Sequence, residues 1–151
     1  MSKLQREIVI DAAREAVYDV LADPTCLHEW VTIQEELEEA PDGDLTPGSE
    51  LRQRMKVAGR RFHLSWTVVE AERPSRIVWE GHGPMRTKAR AVYELSANGN
   101  GSTRFHYLNE YQLPGGPAGR IAGGAIARAS RREADRTLQR LRDLVERRVR
   151  E

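Results

Sequence analysis

Six stretches of the chain alternate apolar and polar residues with a period of two, and one long stretch near the end repeats with the period of a helix. In the first, Leu4, Ile8 and Ile10 oppose Gln5, Glu7 and Val9, which predicts a half-buried strand over Leu4–Ile10. Leu51, Gln53, Met55 and Val57 oppose Arg52, Arg54 and Lys56. Ala58-Gly59 then turns the chain, and Phe62, Leu64, Trp66 and Val68 oppose Arg61, His63, Ser65 and Thr67, so these two stretches read as a hairpin with one apolar face. Arg73-Pro74-Ser75 precedes Ile77, Trp79 and Gly81, which alternate with Val78, Glu80 and His82. After Gly81-His82-Gly83-Pro84 come Ala89, Ala91, Tyr93 and Leu95 against Lys88, Arg90, Val92 and Glu94. Beyond Asn98-Gly99-Asn100-Gly101, a last strand over Thr103–Leu113 sets Phe105, Tyr107, Asn109 and Tyr111 against Arg104, His106, Leu108 and Glu110. The acidic run from Glu35 to Glu39, within Thr32–Glu39, suits an exposed edge strand, where charge discourages edge-to-edge pairing.

The helical patterns are fewer. Asp11-Ala12-Ala13 opens one with Val17 and Leu21 on a shared face, and Asp23-Pro24 stops it because the residue before a proline avoids the α region. A short helix over Pro24–Glu29 leads to Trp30, which is expected to pack in the core. From Gly115-Gly116-Pro117 to Val149 the chain predicts one long helix, with Pro117 at the first position, where its missing N–H costs nothing. Gly123, Ile126, Ala127, Ser130, Ala134, Leu138, Leu141, Val145 and Val149 fall within one arc, with Leu144 at its edge. From Leu138 onward that arc is bulky; before it, the residues are mostly small. At 1.5 Å per residue the helix is roughly 45–50 Å long, enough for one half to seal a core and the other to roof a cavity. Small residues also permit close approach of a neighbour with no void, and both readings are open at this point.

Strand, two helices, about six strands in hairpin order and a terminal helix make an α+β chain with an antiparallel sheet, whose single apolar face needs a cover. At 151 residues the chain reads as one domain. Its formal charge of +1 gives no general attraction for nucleic acid. Arg52, Arg54, Arg86, Arg90 and Arg104 form an outward basic strip lacking the stacking aromatics that single-stranded nucleic acid requires. One cysteine, Cys26, excludes an internal disulfide and suits a reducing cytoplasm. No apolar run is long enough to span a bilayer, and the amino terminus runs directly into patterned sequence without a signal peptide, so a cytoplasmic location is expected.

Several strings carry a resemblance: Ile8-Val9-Ile10-Asp11-Ala12-Ala13-Arg14-Glu15-Ala16-Val17-Tyr18, Ala22-Asp23-Pro24 with His28-Glu29-Trp30, Pro47-Gly48-Ser49, Arg73-Pro74-Ser75-Arg76-Ile77-Val78-Trp79, and Gly101-Ser102-Thr103-Arg104-Phe105. Together with the element order, they resemble the START-like helix-grip superfamily (SRPBCC), in particular its polyketide cyclase/dehydrase and lipid transport group. Two positions depart from the pattern: Ala13, where a proline is common, and the inserted Ser102. The resemblance implies a curved antiparallel sheet gripping the terminal helix around a mostly apolar cavity, and it favours the void reading of Gly123, Ala127 and Ser130. It brings no shared catalytic motif, because the superfamily uses one cavity for several tasks.

On the alternation, the cavity-facing set is Met55, Phe62, Leu64, Trp66, Trp79, Tyr93, Phe105 and Tyr107, joined by the polar Gln53, Asn109, Tyr111 and Ser130, with Ile126 on the helix. Apolar walls with a few polar atoms are what a small-molecule site needs. The candidate ligand-binding residues are therefore Gln53, Met55, Trp66, Trp79, Tyr93, Tyr107, Asn109, Tyr111, Ile126 and Ser130. An unpaired buried amide such as Asn109 costs about 1–3 kcal/mol, so it should meet a ligand, a water or a closed network with Tyr93 and Tyr107. His28, His63, His82 and His106 have no chelating spacing, and His82 is the best placed of them for acid–base work. No nucleophilic triad order, P-loop or dinucleotide fingerprint is present, so neither metal nor cofactor is expected. The expectation is a hydrophobic or aromatic small-molecule binder, monomeric or homodimeric, with no nucleic-acid partner and no membrane span. A polyketide cyclase/aromatase-type enzyme and a co-chaperone-like interaction module are the alternatives.

Overall fold

The computed structural model describes residues 2–43, 45–112 and 117–151, with the side chains of the final helix described from 124 onward. Seven strands, β1 (Ser2–Ile10), β2 (Gln34–Glu39), β3 (Glu50–Val57), β4 (Arg60–Glu72), β5 (Arg76–His82), β6 (Lys88–Ala97) and β7 (Thr103–Gln112), form one antiparallel sheet in the order β1-β7-β6-β5-β4-β3-β2. Between β1 and β2 lie α1 (Arg14–Leu21), a 3₁₀ turn (Pro24–Cys26) and α2 (Leu27–Trp30); α3 (Pro117–Arg150) closes the chain. This is the helix-grip architecture that the resemblance implies. The expected strand end at Leu113, the pair Gly115-Gly116 and the inward position of Gly123 lie outside the described residues.

Each pairing follows from the alternation. β6 and β7 run in unbroken register with Tyr93 opposite Tyr107 and Leu95 opposite Phe105, so the inner residues of both strands face the same way. A bulge between Val68 and Glu70 lets β4 keep Val68 and Ala71 on the inner face while Val69 turns outward, 42% exposed. β2 is irregular at two places along its pairing with β3, and its glutamates pair with Arg52, Arg54 and Arg61. On the outward face, Val78 and Val92 are buried, contrary to a polar outer side. Glu70 lies directly opposite Val78, and Arg76 pairs with both Glu70 and Glu94, so a local ion-pair cluster flanks these valines.

α3 lies against β1, α1 and α2. Its bulky half provides Leu138, Leu141, Leu144 and Val145, all buried, which meet Ile10, Val17, Leu21, Trp30 and Phe105 in one core. Leu144 sits inside rather than at the edge of the arc, because the short helices widen the covered side. On that flank Thr32 donates its N–H to Thr137 Oγ1 at 3.1 Å, and its hydroxyl reaches the Glu133 carbonyl. Val149, expected inward, is 52% exposed among the exposed Arg147, Arg148 and Arg150: the last turn runs beyond the layer that covers Val145. α1 starts at Arg14 rather than at Asp11, since Ala13 is extended and offers no capping side chain. Arg6, on the inner side of edge strand β1, reaches across to Asp135 of α3 at 2.7 Å.

Leu141→Ala removes a fully buried side chain and is expected to cost about 2–5 kcal/mol. Val149→Ala, on the uncovered turn, is expected to change stability by less than about 0.5 kcal/mol. Urea denaturation followed by circular dichroism measures both; equal effects would contradict this division of the helix.

Candidate ligand-binding cavity

Beyond the packed half of α3, the concave face of the sheet is left partly unfilled, and a cavity of ≈ 150 Å³ lies there. Its walls are Gln53 and Met55 of β3, Phe62, Leu64 and Trp66 of β4, Trp79 of β5, Ala89, Ala91 and Tyr93 of β6, and Tyr107, Asn109 and Tyr111 of β7. Ile126 and Ser130 of α3 line it, as do Leu21, Leu27, Val31 and Ile33 from the helical layer. All ten candidate residues from the sequence line this one space. Phe105 does not: it is fully buried in the core below, its ring 5.7 Å from that of Tyr93. Ala134 is likewise buried without lining the cavity.

The void owes more to β6 than the helix pattern suggested. Ala91 pairs with Trp79 on one side and Asn109 on the other, and Ala89 pairs with Gly81 and Tyr111. Small residues thus stand opposite large ones in the middle of the sheet. Gly81 is part of this arrangement, because a Cβ there would come within 2.7 Å of the Trp66 ring, which lies across β5. The signal was present in the sequence as Ala89 and Ala91, followed on the same face of the strand by the large Tyr93 and Leu95.

Polar groups in the walls are few and unequally used. Trp66 Nε1–H donates to Gln53 Oε1 at 2.7 Å, and Gln53 Nε2–H donates to Gln34 Oε1 at 2.6 Å. Gln53 therefore braces the wall, its carbonyl and one N–H already engaged. Asn109 differs: its Oδ1 is buried without a hydrogen-bond partner among the described residues. The network that would have closed on Asn109, Tyr93 and Tyr107 is thus left open at this atom. Tyr93 and Tyr107 stack with ring centroids 5.8 Å apart, and Trp30 meets Tyr93 edge-on at 6.4 Å, so Tyr93 separates core from cavity.

Burial sets the chemistry of these phenols. Desolvation pushes the Tyr107 hydroxyl up from 10.0 to about 12, partly offset by a hydrogen bond from Asn109. Tyr93 is pushed higher still, by desolvation first and by neighbouring Tyr107 second. Both are neutral hydrogen-bonding groups near pH 7. Among the described residues the lining holds no histidine or carboxylate, and it includes the exposed Lys88 at the start of β6. His63 and His82 instead line a separate surface concavity with Glu38 and Arg52, where His63 pairs with Glu38 at 3.1 Å.

Comparison with known proteins agrees with this architecture. A family model described as polyketide cyclase / dehydrase and lipid transport matches residues 1–146. No curated protein matches the chain. Among solved structures, the Zhui aromatase/cyclase from Streptomyces sp. R1128 superposes with a TM-score of 0.81 at 16% identity, over 98% of this chain and 95% of that one. A protein from Thermus thermophilus gives 0.75 at 19% identity, over 95% and 97%. A Chromobacterium violaceum protein gives 0.69 at 17%, over 97% and 99%. At these identities the likeness establishes the fold.

The raised phenol pKa values carry a pH dependence with a definite sign. Between about pH 10 and 12 the unfolded chain releases protons that folded Tyr93 and Tyr107 retain, so stability present below pH 10 is lost as pH rises through this window. Urea midpoints at pH 9, 10.5 and 12 are expected to fall accordingly, and Tyr107→Phe is expected to flatten the slope. An unchanged slope in that variant would remove Tyr107 as a contributor.

Proposed function

The chain belongs to the polyketide cyclase/dehydrase and lipid transport family, and from that premise we propose that it binds a flat apolar or aromatic molecule carrying a hydroxyl group. The observation that carries this reading is Asn109 Oδ1, a buried acceptor with no partner among the described residues, in the wall of an otherwise apolar cavity. A hydroxyl offers the missing donor, and the aromatic and aliphatic walls supply affinity by removing apolar surface from water. An apolar cavity of about 150 Å³ holds one benzene ring, so one ring is seated inside and a larger scaffold extends through the mouth.

Binding without turnover fits the walls best. Aromatase/cyclase chemistry, which the name of the Streptomyces protein carries, asks for a general acid or base beside the substrate. The tyrosines here stay neutral and Lys88, the ammonium in the lining, is exposed at the start of β6, so shape and proximity are what the interior of the cavity offers. A cytoplasmic setting belongs to the same proposal and is supported by Cys26. This thiol is buried, donates to the Val20 and Asp23 carbonyls, and is pushed up to about 11 by desolvation, which keeps it an unreactive core group. Among the described residues no helix is long and apolar enough to cross a membrane.

2-Naphthol and naphthalene test the proposal by quenching of tryptophan fluorescence. One neutral hydrogen bond is worth about 0.5–1.5 kcal/mol, so wild type is expected to prefer the naphthol about 2- to 10-fold. Asn109→Leu is expected to erase that preference while leaving stability unchanged or raised, because a buried acceptor without a partner among the described residues has been removed. A wild type that binds neither compound, or that binds both equally, would defeat the reading.

A further inference from the structure

The arginines of this chain differ in whether they meet an acid: among the described residues Arg60 and Arg90 of the sheet have no ion pair, and Arg148 of α3 pairs with Glu29. On the sheet, Arg52, Arg54, Arg61, Arg76 and Arg104 each meet a glutamate. On α3, Arg128, Arg132, Arg136 and Arg140 follow one another at i,i+4 spacing, all exposed, and Arg131 stands beside them. Among the described residues, Arg128, Arg131, Arg132 and Arg140 have no ion pair. Arg136 has a 3.5 Å pair with Glu133 on its own helix, and the nearby Asp135 is already held by Arg6. Like charges at i,i+4 destabilise a helix by about 0.2–0.5 kcal/mol per pair, so this row works against the helix that carries it.

We propose that the exposed row from Arg128 to Arg140 is a docking surface for an acidic α-helix of a protein partner. The four guanidinium groups are spaced about 6 Å apart along the axis, and the row spans about 18 Å. Each step of four residues also turns about 40° around the helix, so the row is an inclined ridge. A second helix crossing at about −50° aligns its own i,i+4 ridge with such a row, and carboxylates on that ridge meet the guanidinium forks two bonds at a time. A flat bilayer meets only part of an inclined row, and it would want an apolar anchor. Among the described residues the exposed large apolar side chains, Val9, Val69, Met85 and Val149, all lie outside the segment 124–140. Duplex DNA is disfavoured instead by the formal charge of +1, which gives the chain no general attraction for nucleic acid.

The amino-terminal end of the row, at Arg128 and Arg132, shares turns with Ile126 and Ser130 of the cavity roof, and its other end, at Arg136 and Arg140, lies over the packed turns that hold Ala134 and Leu138. A partner docked along the row spans both halves of the helix. It is recognised by charge, in keeping with a face that has no apolar patch, and its affinity falls as salt rises.

Fluorescence anisotropy with a labelled helical peptide bearing glutamates at every fourth position tests this. The double reversal Arg132→Glu with Arg140→Glu is expected to weaken binding at least about 10-fold, whereas Arg132→Lys with Arg140→Lys keeps it within about 3-fold. The reversal turns the like-charge i,i+4 pairs of the row into opposite-charge ones, so the melting temperature is expected to equal or exceed that of wild type with 2-naphthol binding unchanged, which separates lost docking from lost folding. The proposal is overturned by an unchanged affinity on reversal, by equal binding of a peptide with the same composition and scrambled glutamates, or by absence of peptide binding at low salt. Tighter binding to phosphatidylserine vesicles or to duplex DNA overturns it as well, as does self-association that the reversal abolishes, which would make a second copy the occupant.

Discussion

One apolar face of a seven-stranded sheet must be kept from water, and α3 and the two short helices provide the cover. Everything else follows from how completely that cover fills the concave side. Where α3 presents Leu138, Leu141, Leu144 and Val145, the fit is close and side chains such as Phe105, Ile10 and Val17 lose all access to solvent. Burying a side chain of that size is worth about 1.5–3 kcal/mol, so this half of the helix is where the fold is held together. Toward its other half the helix contributes Ile126 and Ser130, which roof the sheet without reaching its floor.

Side-chain size along β6 decides where the gap opens. Leu95 and Tyr93 fill the space beside Phe105, and Ala91 and Ala89 then leave it empty beside Asn109 and Tyr111. Tyr93 marks the boundary, stacked on Tyr107 from one direction and met by Trp30 from another. Its aromatic contacts fix a wall that would otherwise collapse into the void, and such pairs add about 0.5–1.5 kcal/mol beyond burial. The cavity is thus bounded by packing on one side and by missing volume on the other.

The period-two and period-3.6 patterns made the fold legible, because each strand has a single inward face and alternation fixes which residues share it. Hence the ten candidate positions all line the same cavity. The use each side chain makes of its position was not legible. Gln53 and Asn109 are both inward amides in strands of similar pattern, yet one is bound by Trp66 and Gln34 and the other is left with a free acceptor among the described residues. That difference depends on β2 lying beside β3 at a particular register, which no local pattern encodes. Val149 and Phe105 were placed one layer too far in and one layer too near the cavity for a related reason: periodicity gives a direction, while the extent of the covering layer is set by tertiary packing.

Sharing one helix between core and cavity links occupancy to stability. A ligand that binds only the folded chain stabilises it by RT ln(1 + [L]/Kd), about 2.7 kcal/mol at a hundredfold excess over Kd. The structural consequence is local, because the fully buried contacts of Leu141 and Val145 are already complete without a ligand. What remains to be gained lies around Asn109 and beneath Ile126, where apolar surface and one acceptor are not yet matched. Arg128 and Arg132 stand on the outer side of the turns that carry Ile126 and Ser130, so a partner seated on the amino-terminal end of the arginine row would lie over the least filled part of the interior.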